Sequence, residues 1–424
     1  MLSWLPVYGL ITLLLLRAPV FVALGAPSLL YLVLSGIPLG IFQQRLVASV
    51  NDSMLLAVPM FLLAGRLMNR IGATERIFAF AQALIGAIRG GLGYVVVLAS
   101  MMFSAMSGSA TADAVGVGTM TVRVMRDRGY PPEFGAAITL SAACLAPIIP
   151  PSIVMIIYGS ISGVSIGRLF IGGVLPGLLL AASLMVAVGM LSKVRQYPVG
   201  DPISPMRVAK AFKDAFFVLL TPVIIIGGIF TGIFTPTEAA VVAVTYVIIL
   251  GIAHRTLSWK ALCTEILETS TLVGALMVVV AVSGVNGWVF ALEQIPNVLS
   301  EALDPASLGP VAVVFGLLLV GLFLGMFMDA MPIILMMIPV ITPLITQAGV
   351  DPVHFGVLFC IICTLGLITP PVGNALFGVA MVSKLSMERV FWATIPFFVA
   401  MLLAISAMVF VPDVVLFLPN LILG

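Results

Sequence analysis

The chain has 424 residues and a formal net charge of +2; 62% of its residues are apolar and only 8% are charged, against about 25% charged in an average soluble domain. So small a charge gives no footing for nucleic acid or an acidic partner, and so apolar a composition excludes a soluble protein in favour of one set in a lipid bilayer. Several apolar runs reach the ~20 residues that a helix needs to cross, whereas the alternation of a barrel strand is missing, so the expected class is an all-α polytopic membrane protein.

The first apolar block, 5–34, carries Arg17, Pro19 and Gly25 and fits either two tilted spans or one broken span. Its start, Met1 to Pro6, lacks the basic residues and small-residue cleavage site of a signal peptide, so it is kept as the first span. A span over 54–67 is followed by Arg70, Glu75 and Arg76, and 77–87 is too short to cross, which predicts a helix lying near the interface. A hairpin is expected over 91–127. It descends to a small, polar tip, Ser104-Ala-Met-Ser-Gly-Ser-Ala-Thr-Ala-Asp113, and both its feet carry arginine: Arg89 on one, Arg123, Arg126 and Arg128 on the other. The span 134–160 contains Ala146-Pro-Ile-Ile-Pro-Pro-Ser152. Proline removes an amide donor and clashes with the preceding turn, so this helix must break. A full span over 169–191 precedes the longest polar stretch, 193–214, read as a cytoplasmic linker.

Beyond the linker, spans are predicted over 217–230, 239–252 and 272–290, then an acidic stretch with Glu293, Glu301 and Asp304. A second hairpin over 308–346 has the tip Gly325-Met-Phe-Met-Asp-Ala330, and a second broken helix over 355–382 centres on Thr369-Pro-Pro-Val-Gly-Asn374. A last span ends near 410. Four landmarks recur in one order at nearly one spacing. Asp113 and Asp329 are 216 positions apart, the Pro-Pro pairs at 150 and 370 are 220 apart, and both Val164-Ser-Ile-Gly-Arg-Leu-Phe170 with Leu385-Ser-Met-Glu-Arg-Val-Phe391 and Pro131-Pro-Glu-Phe-Gly135 with Pro352-Val-His-Phe-Gly356 are 221 apart. This is the mark of two repeats, 1–192 and 215–424, joined by 193–214. Basic loops stay inside: the first hairpin's feet are then cytoplasmic and the acidic feet of the second face outwards, which makes the repeats inverted. Irregular backbone is tolerated in lipid only where protein buries it or where it lines a cavity. Re-entrant tips beside broken helices therefore indicate a secondary transporter's binding site.

Cys360 and Cys363 form C-x-x-C inside an apolar run, and all four cysteines are read as structural thiols. No Walker A or H-E-x-x-H pattern occurs, and no cofactor is expected. Trp4, Trp288, Phe290 and Trp392 are read as anchors of span ends, and His254 and His354 as loop or interface residues. A serine nucleophile at Ser107 or Ser109 would need an adjacent base, which those histidines do not offer, so the chain is not expected to be an enzyme.

The tip Gly-Ser-x-x-x-Asp, Pro-Ile-Ile-Pro-Pro-Ser, Val-Ser-Ile-Gly-Arg-Leu-Phe, Gly-x-Leu-Pro-Gly at 173–177, Gly-Met-Phe-Met-Asp and Thr-Pro-Pro-Val-Gly together resemble the large membrane subunit (DctM-like permease) of tripartite ATP-independent periplasmic (TRAP) transporters. The resemblance implies an elevator-type, sodium-driven importer of organic acids in the bacterial inner membrane. It also implies two partners, a soluble periplasmic substrate-binding protein and a small four-helix membrane subunit. Sodium is a hard cation that takes oxygen ligands. One candidate site joins Ser107, Ser109 and Asp113 to the break between Pro147 and Pro150; the other joins Gly325 and Asp329 to Gly366, Thr369 and Gly373. The alternative for each acid is a bond to the backbone amides of its own turn. Substrate is expected between the tips, at Gly108, Thr111, Ser152 and Asn374, where half-helix N-termini present amides to a carboxylate. A stand-alone sodium- or proton-coupled symporter or antiporter of similar two-hairpin design is the competing reading.

Overall fold

The computed structural model describes residues 4–16, 18–200, 202–303 and 305–423; Arg17 and Asp304 lie outside them. The block 5–34 resolves into two helices, α1 (Leu5–Leu15) and α2 (Val20–Leu34), which pack on each other across the break at Pro19. A helix that the sequence reading passes over follows, α3 (Leu39–Val50), with no buried residue. It leads through a 3₁₀ turn, Ser53–Leu56, into α4 (Ala57–Arg70), bent by 55° from α3. Next come α5 (Ala73–Ile85), which starts behind the left-handed Gly72, and α6 (Gly91–Ser107) with α7 (Ala110–Asp127), joined by only two residues.

The first proline break separates α8 (Pro132–Ala143) from α9 (Ile153–Ser162). The long α10 (Ile166–Val194) has Ser165 as its N-cap, which accepts the Arg168 amide at 3.4 Å. The polar stretch after it is only partly a linker. Pro205 sits at the first helical position, which its fixed φ favours, and α11 (Pro205–Phe230) takes Arg207, Lys210 and Lys213 into one continuous helix with the span that follows. At the start of α12 (Pro236–Ala253), Thr235 and Glu238 form a capping box, each side chain accepting the other's backbone amide. The 34-residue α13 (Trp259–Leu292) starts thirteen residues before its apolar run because Ser258 caps it, accepting the Ala261 amide at 3.2 Å.

The short α14 (Ile295–Leu303) and α15 (Pro305–Leu308) lead to α16 (Pro310–Gly325) and α17 (Ala330–Gln347). The second break separates α18 (Pro352–Gly366) from α19 (Asn374–Ser383), and α20 (Met387–Phe410) has Ser386 as N-cap, accepting the Arg389 amide at 3.4 Å. A final helix, α21 (Asp413–Leu423), lies beyond the last predicted span and packs along α10, where its Asn420 accepts a hydrogen bond from Arg168 at 2.7 Å. Among the described residues six helices are long and apolar enough to cross a bilayer, or seven if the bent pair of α3 and α4 is one span. The chain is an all-α, multi-pass membrane protein.

The packing is reciprocal. Arm α7 of the first hairpin lies on α19, arm α17 of the second on α9, α20 on α8, and α10 on α18. Just past the end of α8, the Cys144 sulfur lies 4.0 Å from the Thr364 carbonyl oxygen of α18. Both helices are buried along nearly their whole length. Two expectations about single residues change here. His354 is not a loop residue: it is buried in the first turn of α18, with Nε2 3.0 Å from the Met408 carbonyl. Cys263 is exposed on the polar start of α13, unlike buried Cys144, Cys360 and Cys363.

Candidate functional site

Each hairpin tip faces a proline break. At the first, α6 ends because Gly108 adopts φ +62, and its amide donates to the Ser104 carbonyl at 3.4 Å. The open left-handed conformation favours glycine there. The tip is wedged tightly: a methyl group on Gly108 would lie 3.3 Å from the Pro151 carbonyl oxygen and 3.4 Å from the Ile153 nitrogen. Contact with the break therefore falls at Pro151–Ile153, just past the expected Pro147–Pro150. Ser109 is the N-cap of α7 and accepts the Ala112 amide at 3.4 Å, while the Ser107 hydroxyl accepts the Ser109 amide at 3.4 Å. Asp113 sits one turn further along α7, 2% exposed. Neither of its carboxylate oxygens has a hydrogen-bond partner, although the Ser107 side chain is within interaction range. The Thr111 hydroxyl is buried beside it in sequence and is also unpartnered.

In the facing break, the carbonyls of Ile149, Pro150 and Pro151 accept no backbone hydrogen bond among the described residues. The Pro147 carbonyl does not share that freedom, since the Ser152 hydroxyl donates to it. Ser152 also caps α9 by accepting the Met155 amide at 3.2 Å and is fully buried. Its hydroxyl thus holds the break's shape from within.

The second tip differs. Asp329 is the N-cap of α17, and its carboxylate accepts the Ala330 amide at 2.7 Å. The tip is bonded directly to the second break, the Gly373 amide donating to the Met326 carbonyl at 3.0 Å. Gly325 and Gly366 bring the two backbones together: a methyl group on Gly366 would stand 2.5 Å from the Gly325 carbonyl carbon, and one on Gly325 would stand 2.5 Å from the Cys363 carbonyl oxygen. The Thr369 hydroxyl donates to the Gly366 carbonyl at 2.7 Å. The carbonyls from Ile368 to Val372 accept no backbone hydrogen bond among the described residues. Pro370, Pro371, Val372 and Asn374 are exposed, whereas Pro147, Pro150, Pro151 and Ser152 are buried.

These positions correct one pairing in the sequence reading. The N-caps of the two second arms are Ser109 and Asp329, 220 positions apart, the same spacing as the two Pro-Pro pairs. Asp329 therefore occupies the place of Ser109, and Asp113 has no acidic counterpart. The four-residue shortfall in the spacing of the acids, one helical turn, was the available signal.

Two helical hairpins abutting two broken helices define a membrane transporter, and known proteins agree. The chain covers 91% of its length and 90% of the other on the crystal structure of the YdaH transporter of Alcanivorax borkumensis, reported to have an unusual topology, with a TM-score of 0.66 at 14% identity. A profile of the tripartite ATP-independent periplasmic transporter, DctM component, matches residues 7–414. The sialic acid TRAP transporter large permease SiaM of Vibrio cholerae is 39% identical over 422 residues, 99% of this chain and 98% of that protein. The C4-dicarboxylate TRAP transporter large permease DctM of the same organism is 35% identical, over 98% of this chain and 96% of its own. The chain belongs to the DctM family of TRAP transporter large permeases. It is a transport subunit of the bacterial inner membrane and not an enzyme.

Proposed function

We propose that the chain imports a small organic acid, such as a C4-dicarboxylate, sialic acid or another carboxylate, in symport with sodium. One observation carries this reading: Asp113, a buried carboxylate with no hydrogen-bond partner, at a hairpin tip that faces free carbonyls. An ionised carboxylate at depth in a membrane costs ~2.5–3.5 kcal/mol on insertion scales, which a bound cation offsets. Ser107, Ser109 and Asp113 with the carbonyls around Pro150 form the first sodium site of this proposal. Gly325, Asp329, Gly366, Thr369 and Gly373 form the second, with backbone oxygens doing most of the ligation because the Asp329 carboxylate also caps α17. Substrate lies between the tips, against Gly108, Thr111 and the start of α19 at Asn374.

The two halves act as inverted repeats, and the hairpins with their broken helices move as one body against α4, α11, α12 and α13, with α5 as the connecting arm. A periplasmic binding protein delivers the substrate and a small membrane subunit completes the scaffold, a reading that the words tripartite and periplasmic in the family's name support. The test is uptake of a panel of organic acids into proteoliposomes containing the chain and the small subunit, with and without the binding protein. Uptake should need both an inward sodium gradient and the binding protein, and it should ignore ATP. Equal uptake with sodium replaced by choline would refute the coupling; full uptake without any binding protein would favour a stand-alone symporter.

A further inference from the structure

Away from the tips, a cavity of about 520 Å³ opens between α5, the foot of the first hairpin, the residues 198–200 and 202–204, and the start of α11. The stretch 198–200 is held in place by its backbone. The Gly90 amide donates to the Pro198 carbonyl at 3.0 Å, the Tyr130 hydroxyl donates to the same oxygen at 3.1 Å, and Arg89 and Val199 form an antiparallel bridge. Four basic residues from three elements line the cavity: Arg76 of α5, Arg128 of the hairpin foot, and Arg207 and Lys210 of α11. Among the described residues, two carboxylates, Glu75 and Asp214, line it with them. Among the described residues, neither Arg76 nor Lys210 has a carboxylate within 4.0 Å. The N-cap of α11, Ser204, also lines the cavity and makes no side-chain capping bond, so the positive end of a 26-residue helix adds to the field.

The surroundings fix the depth of this cavity. Phe80 of α5 contacts Phe212 of α11 at 5.6 Å between ring centres, and Phe212, Phe216 and Phe217 are exposed one after another along α11. Exposed phenyl rings next to Lys and Arg on one helix suit the level where acyl chains meet headgroups. A ligand that fits has a phosphate for the guanidinium forks, which match it bidentately, and acyl chains for the phenyl rings. We propose that this cavity binds the phosphate-bearing headgroup of an anionic phospholipid from the leaflet on its own side of the membrane. Because α5 packs on both α6 and α11, the lipid bridges the hairpin foot to the helix that follows the linker.

The test uses the purified full chain in a neutral detergent, titrated with dioctanoyl phosphatidylglycerol and followed by native mass spectrometry and by thermal melting. Saturable binding should raise the melting temperature. Arg76→Gln with Lys210→Gln should weaken it about 30-fold, from the contribution of each basic residue to anionic lipid attraction. Arg123→Gln with Arg126→Gln, an equal charge change on exposed positions of the same foot, should leave it within about twofold. Asp214→Asn should tighten binding, an outcome that misfolding would not imitate. Equal affinity in all four proteins would overturn the site. Displacement of the lipid by inorganic phosphate at matching concentration would overturn the lipid as its source and assign the cavity to a soluble phosphate.

Discussion

Replacing Gly366 by alanine tests the second tip at its tightest point. The added methyl would stand 2.5 Å from the Gly325 carbonyl carbon and 2.8 Å from the Leu322 carbonyl oxygen, whereas carbon atoms pack at about 3.5–4.0 Å. The obstacle is backbone on both sides, so hairpin and broken helix must separate by about 1 Å. Overpacking of this kind costs about 1–3 kcal/mol. The better helix propensity of alanine at the end of α18 returns at most ~1 kcal/mol, which leaves a net loss of roughly 0–2 kcal/mol, about fivefold in an equilibrium constant at the ~1 kcal/mol midpoint. If Gly325, Gly366, Thr369 and Gly373 hold sodium, the half-saturating sodium concentration for uptake should rise by about that factor. The matched control is Gly274→Ala in α13, where a methyl meets nothing within 4 Å. The reasoning is refuted if Gly366→Ala melts and responds to sodium as the control does.

Two further outcomes follow from the same geometry. Asp113→Asn removes a buried charge that has no hydrogen-bond partner, so it should melt no lower than the parent in choline, yet lose the stabilisation that sodium gives the parent, ~2.7 kcal/mol at a hundredfold excess over the dissociation constant; an unchanged sodium-induced shift in melting temperature would remove Asp113 from the site. Cysteines placed at Arg126 and at Glu301, in a background lacking Cys144, Cys263, Cys360 and Cys363, should react with an impermeant maleimide from opposite sides of the membrane, and labelling from one side only would end the inverted-repeat reading.

The breaks were legible in the sequence because proline acts locally: Pro147, Pro150 and Pro151, like Pro370 and Pro371, stop a helix whatever surrounds them. The family was legible for a similar reason, as part of its signature sits at those stops and part at the two hairpin tips. Helix ends in polar surroundings were not. The residues Gln43, Gln44 and Arg45 hide α3, which buries nothing, and Arg207, Lys210 and Lys213 disguise the first turns of α11 as linker. Helix-start residues such as the N-cap Ser258 and Pro205 at the first helical position carried the missing information, but a hydropathy reading passes over single residues. For Asp329 the sequence left two roles open, ligation or a bond to the amides of its own turn, and its carboxylate accepts the Ala330 amide. Aspartate is a strong N-cap, and only the register of its hairpin separates capping from ligation.

The reciprocal packing of the two halves bears on how the protein is made. The first proline break, between α8 and α9, is covered in part by α17, α18 and α20, none of which exists when the ribosome has just finished it. At about 5–20 residues per second, a partner lying some 220 positions downstream arrives roughly 10–40 seconds later. During that interval the bare carbonyls of Ile149, Pro150 and Pro151 must be sheltered by the insertion machinery, by water, or by a provisional fold of the first half alone. Biogenesis is thus the stage at which a truncated chain is most exposed to quality-control proteases, since half of this protein is a bilayer segment with its polar backbone unclosed.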